Sequence, residues 1–163
     1  MTVKKICMIG SFSVGKTSLV ARFVHSIFSD QYLTTVGVKI SKKEIAVKGQ
    51  DVSLVLWDME GKDEYSNINF SHLRGAMGLF LVADGLRRET LDEACALQRL
   101  VSALVGDIPR MLLLNKADLV EGWEITDDDI TRLKLQGFEI MKTSAKTGQG
   151  VDAAFLALVE AML

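Results

Sequence analysis

The apolar run Ile6-Cys7-Met8-Ile9 leads directly into Gly10-Ser11-Phe12-Ser13-Val14-Gly15-Lys16-Thr17, and the helix-like stretch Ser18-Leu19-Val20-Ala21-Arg22-Phe23 follows it. A glycine-bearing turn is therefore wedged between a strand and the start of a helix. Such a turn lets successive backbone N–H groups face an anion, and the helix start adds its positive dipole end. Lys16 supplies a mobile cation for β- and γ-phosphates, and the Thr17 hydroxyl is a hard oxygen ligand for Mg²⁺. The same string can be no more than a strand-to-helix turn. The elements on both sides favour a phosphate cradle.

Further apolar runs bounded by turn residues recur at Val52–Trp57, Gly78–Asp84, Met111–Asn115 and Phe138–Lys142, with helical periodicity between most of them. That alternation predicts an α/β fold with a doubly wound sheet. Lys39–Val47 and Asp51–Trp57 flank the turn signal Lys48-Gly49-Gln50, which predicts one antiparallel hairpin in an otherwise parallel sheet. Ala94, Leu97, Val101 and Leu104 keep helical spacing, as do Val151, Phe155, Leu158 and Met162, so each stripe is expected to lie on the sheet. With no repeat, linker or low-complexity tract, residues 1–163 read as one domain.

A formal charge of −2 and the absence of a basic run argue against a nucleic-acid surface. Cys7 and Cys95, one in a strand and one in a helix, read as core thiols rather than a disulfide or metal pair. His25 and His72 have no companions at metal spacing and read as surface or helix-packing residues. No signal peptide, membrane span or lipid-anchor motif is legible, so a cytoplasmic protein is expected.

Ligands of open α/β sheets bind beyond the carboxyl ends of the strands. Asp58 follows the run Val52–Trp57, where a carboxylate can ligate Mg²⁺ or hold a water on it. Gly61, three residues on, lets a backbone N–H approach a γ-phosphate with no side chain in the way. Asn115-Lys116-Ala117-Asp118 closes Met111–Leu114, and a carboxylate there accepts two hydrogen bonds from a purine offering N1–H and an exocyclic amine. Guanine offers both and adenine does not. The wrong base would leave a carboxylate unpaired. After the last strand, backbone N–H groups of Thr143-Ser144-Ala145-Lys146 can reach a base oxygen, and the Lys146 stem can cover the ring. Each short motif alone also fits a plain loop. The series gives them weight.

In this order, spread over the whole chain, the motifs resemble the Ras superfamily of small GTPases. Tyr32-Leu33-Thr34-Thr35-Val36-Gly37-Val38, Trp57-Asp58 and Arg74-Gly75-Ala76-Met77-Gly78 look most like its Rab branch. The resemblance implies a P-loop NTPase fold with a mostly parallel six-stranded sheet, one antiparallel strand and helices on both faces. It implies GTP/GDP and Mg²⁺ as ligands, bound by Ser13, Val14, Gly15, Lys16, Thr17, Ser18, Asn115, Lys116, Asp118, Ser144, Ala145 and Lys146. Thr17, Thr35 and Asp58 would serve the metal, Phe28 would lie edge-on against guanine, and Tyr32 would close over the phosphates. A core phenylalanine and a surface tyrosine are the plain alternatives for Phe28 and Tyr32, and Thr34 rivals Thr35. Lys16, Thr35, Gly61 and Lys62 fall at catalytic positions. Two segments, Tyr32–Gly37 and Gly61–Arg74, would present themselves to an effector protein, with an exchange factor and a GAP as further partners.

Two departures bear on catalysis. Lys62 occupies the place of the usual water-orienting glutamine, and an ammonium has only donors, so slow GTP hydrolysis is expected. Phe12 stands where the family places a small residue. Its ring either crowds the γ-phosphate and an incoming arginine, or turns away to pack near Tyr65. Ile40 replaces a usual aromatic and Met59-Glu60 a usual threonine-alanine, which leaves the effector open. A nucleotide-holding scaffold, or one domain of a larger regulator, is the rival to a hydrolysing switch.

Overall fold

A computed structural model describes residues 1–29, 37–59 and 70–163. Its strands and helices run β1 (Thr2–Gly10), α1 (Lys16–His25), β2 (Val38–Val47), β3 (Gln50–Met59), β4 (Gly78–Asp84), α2 (Arg88–Val105), β5 (Arg110–Asn115), α3 (Asp127–Leu135), β6 (Ile140–Lys142) and α4 (Val151–Met162). A 3₁₀ turn, Phe70–Leu73, precedes β4. The six strands form one sheet in the order β2-β3-β1-β4-β5-β6. Every pairing is parallel except β2 with β3. The expected mixed sheet is present.

Strand alternation sorts the apolar side chains into two cores, because successive residues point to opposite faces. Ile6, Met8, Leu54, Leu56, Phe80 and Val82 face α1 and α4, while Cys7, Ile9, Leu79, Leu81 and Ala83 face α2 and α3. In the first core Phe155 stacks on Phe23 at 3.9 Å between ring centroids and meets Phe80 edge-on at 4.8 Å. Such pairs add about 0.5–1.5 kcal/mol each beyond the area they bury. Sheet and helices are thus locked at their centre.

The β2–β3 hairpin closes with Val47 paired to Gln50 across Lys48-Gly49. Both turn residues have positive φ, 50° and 77°, the type I′ geometry whose twist suits a two-residue hairpin. At the other edge β6 begins at Ile140, two residues later than the run Phe138–Lys142 suggested. The Phe138 N–H instead donates to the Leu133 carbonyl, so this residue finishes α3 before the strand starts. On α2, Ala94, Leu97 and Val101 are buried as expected, but Leu104 is 58% exposed. A 3.6-residue period drifts off a 3-4-3 spacing, and Val105 takes the core-facing place instead. Cys7 is buried and Cys95 half-buried. His25 is exposed, and His72 lies 5.8 Å from the Trp57 ring.

α3 is anchored at its start by Thr126, whose hydroxyl accepts from the Asp129 N–H at 3.1 Å while Asp129 Oδ2 accepts from the Thr126 N–H at 2.9 Å. Both Asp129 oxygens also accept from the Arg88 guanidinium at 2.5 Å, tying α3 to α2. The Arg88 bonds first, then the cap, hold the Asp129 carboxyl well below the usual carboxylate range. Its contribution is therefore complete above about pH 4, the unfolded carboxylate's value, and fades as pH falls toward the lower folded value. Thr126→Ala is expected to lower the unfolding free energy by about 1 kcal/mol, read from urea titrations at neutral pH.

Candidate functional site

The parallel strands β1, β3, β4, β5 and β6 end on the same edge of the sheet. Gly10, Met59, Asp84, Asn115 and Lys142 are their last residues. Asp58 lies inside β3, which runs one residue past it, rather than after the strand; its carboxylate is 1% exposed. Thr17, in the first turn of α1, donates its hydroxyl to Asp58 Oδ2 at 2.5 Å. Two hard oxygens from distant parts of the chain thus sit side by side.

Three consecutive carbonyls of the loop are held from outside. Phe12 O accepts from Arg87 Nη2 at 2.8 Å, Ser13 O from Lys116 Nζ at 3.1 Å and Val14 O from Asn115 Nδ2 at 3.0 Å. Gly15 O then accepts the Leu19 N–H of the first helical turn at 2.9 Å. In a planar trans peptide the C=O and the following N–H point opposite ways. The amides of Ser13, Val14, Gly15 and Lys16 are consequently turned to the other side, as a row of donors. Gly15, at φ +102°, has no room for a Cβ, which would strike Asn115 Nδ2. The loop closes this tightly only because residue 15 is glycine.

Lys16 Nζ curls back to Gly10 O at 3.0 Å and Ser11 O at 2.9 Å. Its ammonium carries three donors, so the two loop bonds leave one for an anion. Burial chiefly lowers the Lys16 pKa, to about 8; Asp58 works against this and the Arg87 charge adds to it. Ser11 Oγ is buried with no hydrogen-bond partner among the described residues.

The N-K-x-D and S-A-K motifs form a second cluster joined to the first. Asn115 Oδ1 accepts from Thr143 Oγ1 at 3.1 Å, and Asp118 Oδ1 from Ser144 Oγ at 2.7 Å. Ala145 is buried, and Lys146 is exposed at the rim. Arg22 of α1 fastens this turn by donating Nε to Ala145 O at 2.7 Å and Nη2 to Lys146 O. Lys116 Nζ also meets Asp84 Oδ2 at 2.8 Å. Ser18 lies half-buried in α1 beside Thr17. Phe28 is 36% exposed, so the core alternative does not hold for it. Phe12, within the loop, is 40% exposed.

Tyr32, Thr34, Thr35, Glu60, Gly61, Lys62 and Tyr65 lie outside the described residues, as do most of the segments Tyr32–Gly37 and Gly61–Arg74 expected to meet an effector. Of those segments the structure describes Gly37 and Phe70–Arg74. Lys5 Nζ donates to His72 O and Arg74 O, both at 2.7 Å, and sits 3.7 Å above the Trp57 ring. Ile40, across the strands from Trp57, is 48% exposed. Sequence reasoning missed Asp84, Arg87 and Arg22. The one signal for Asp84 was its place at the carboxyl end of a strand.

The residues fit a phosphate-bearing ligand with a hard cation. A row of amides and a buried ammonium suit phosphoryl oxygens, and the Thr17–Asp58 oxygen pair suits Mg²⁺. No group of three or more His, Cys, Asp or Glu at metal-binding distance occurs among the described residues. No helix among them is long and apolar enough to cross a membrane.

A strand-loop-helix phosphate cradle on a five-parallel, one-antiparallel sheet, with N-K-x-D closing β5 and S-A-K following β6, defines a P-loop GTPase fold. The Ras family pattern matches residues 5–163. Ras-related protein Rab-4 of Dictyostelium discoideum is 36% identical over 154 residues, 93% of this chain and 75% of the relative. Rab-10 of Caenorhabditis elegans is 32% identical over 161 residues, covering 98% and 80%, and human Rab-8B is 30% identical over 156 residues, covering 94% and 75%. The chain belongs to the Ras family and is a Rab-like small GTPase.

Proposed function

We propose that residues 1–163 form one guanine-nucleotide switch domain, which binds GTP and GDP with Mg²⁺ and hydrolyses GTP slowly. The observation that carries this reading is the direct stitching of the base-side motif to the phosphate loop, Asn115 to Val14 O and Lys116 to Ser13 O. One rigid frame then fixes the distance between a base carboxylate, Asp118, and a row of loop amides. Asp118 would accept the guanine N1–H and amine, Ser144 would orient that carboxylate, and Phe28 and Lys146 would flank the ring. Amides of Ser13–Ser18 and the Lys16 ammonium would hold the phosphoryl oxygens. Their donors are set before charge develops, which is what stabilises a phosphoryl-transfer transition state.

Thr17 and Asp58, with Thr35, would hold Mg²⁺, which when bound neutralises charge between the β- and γ-phosphoryl oxygens. Thr35 and Gly61 would sense the γ-phosphate, and the segments around them would carry the nucleotide state to an effector. An exchange factor and a GAP complete the cycle, at a cytoplasmic location. Lys62 orients water poorly, since it cannot accept the water's hydrogen bond.

Phe12 favours a second reading. Phe12 is 40% exposed, and a ring turned over the cradle would obstruct an incoming arginine, which fits a scaffold that holds nucleotide without turning it over. Single-turnover hydrolysis of preloaded GTP, resolved by chromatography of the nucleotide, separates the two. Lys62→Gln is expected to hydrolyse about tenfold faster than the parent or more, the gain from restoring a positioned acceptor. A Lys62→Gln variant no faster than the parent would sink the slow-switch assignment of Lys62. No turnover in either protein would leave the scaffold.

A further inference from the structure

Asp84, 2% exposed at the end of β4, joins two cations that both reach the phosphate loop. Its Oδ2 accepts from Arg87 Nε at 3.0 Å and from Lys116 Nζ at 2.8 Å, and its Oδ1 from the Leu86 N–H at 2.9 Å. Arg87 carries on to Phe12 O and Lys116 to Ser13 O, so one carboxylate anchors donors to two adjacent loop carbonyls. Between those carbonyls sits Ser13, at φ +66°. A non-glycine residue in that region costs about 1–2 kcal/mol and persists only where its surroundings over-determine it. Clamps on both sides of the residue supply that constraint.

We propose that Arg87, anchored by Asp84, is a positioning residue: by fixing the Phe12 carbonyl outward it aims the Ser13 amide into the cradle, at the phosphoryl group beyond the first. This rests on the guanine-nucleotide reading above. The start of α1, at Lys16–Ser18, serves one phosphoryl group by itself, whereas the Ser13 amide belongs to the turn upstream and serves the next. An arginine suits the task because its planar fork presents Nε and Nη2 to two different acceptors at once. A lysine is a point charge on a flexible stem and would have to divide itself between Asp84 and Phe12 O. Asp84 also keeps the charges of Arg87 and Lys116 from repelling each other. Burial by itself would raise its pKa, but the bonds from Lys116, Leu86 and Arg87 outweigh that and hold it below the ordinary value.

The test is calorimetric titration of the full chain, freed of nucleotide, with GDP and separately with GMP in Mg²⁺ buffer. Arg87→Met is expected to weaken GDP about tenfold, the size of one lost charge-assisted hydrogen bond, and to leave GMP within about twofold of the parent. Arg87→Lys should recover only part of the loss. Asp84→Asn, which keeps the side-chain volume, should also weaken GDP selectively and serves if Arg87→Met does not fold. Equal losses for GDP and GMP would mean a general structural role, and unchanged GDP binding would mean no role; either overturns the proposal. A parent protein that binds neither nucleotide would instead remove the guanine-nucleotide reading beneath it, before any variant is compared.

Discussion

Lys16→Met is expected to weaken both GDP and GTP by about 10²–10³-fold, the loss typical of removing one partner from a buried, hydrogen-bonded charge pair. The magnitude follows from where the ammonium sits. It is 6% exposed, tethered to Gly10 O and Ser11 O, and holds its charge against a desolvation that already lowers its pKa to about 8. A bound polyphosphate would offset that desolvation, so the lysine and the anion stabilise each other. Removing the lysine leaves phosphoryl charge with amides alone. Lys16→Arg tests whether charge by itself suffices: the bulky fork cannot reproduce both curled-back carbonyl bonds, and binding should stay weak. Calorimetry with Mg²⁺–GDP gives the affinities, and thermal melts of the same samples check folding. Affinity within threefold of the parent for Lys16→Met would remove Lys16 from the phosphate site.

Asp118→Asn should exchange base preference, favouring xanthine over guanine nucleotides by a change in ratio on the order of 10³-fold or more, as expected where an acceptor covered by the bound base must match a donor. Ser144 Oγ donates to Asp118 Oδ1, which leaves the other oxygen for the base. In the asparagine variant the amide oxygen can keep the Ser144 bond while the amide NH₂ faces outward. That NH₂ donates to the 2-oxo group of xanthine and clashes with the amine of guanine. Competition between GDP and XDP for a fluorescent nucleotide reads the ratio directly. Retained guanine preference would remove Asp118 from base recognition.

Much of the architecture is legible in the chain because it is written in local patterns. Two-residue alternation in Ile6–Ile9 and Leu79–Ala83 assigns each side chain to one of the two cores, and Lys48-Gly49 marks the hairpin. The misreadings are local as well. Phe138 is apolar and adjoins a strand, yet its N–H serves the end of α3; Leu104 keeps nominal spacing but has rotated off the buried stripe. Asp58 belongs to β3 because pairing with Lys39 and Met8 carries the strand past the apolar run.

The site divides the same way. Lys16, Thr17, Asn115 and Asp118 are legible because their spacing within short motifs is itself the geometry. The clamp from Arg87 to Phe12 spans 75 residues, and Arg22 reaches Lys146 across 124. No spacing rule connects such pairs. They arise because β1, β4, β5 and β6 end on one edge and bring unrelated loops together, a fact of the sheet order rather than of any segment.

That sheet order has a consequence for how the protein comes into being. β1 lies at the centre of the sheet, between β3 and β4, yet precedes both in the chain. Thr2 must wait for Val52 and Ile6 for Gly78 before the ladders on either side can close. At about 5–20 residues per second, a nascent chain exposes the wholly apolar Ile6–Ile9 for several seconds or more. Until then β1 is open to off-pathway pairing. The β2–β3 hairpin, a local pairing in this sheet, can close before β1 has both of its neighbours.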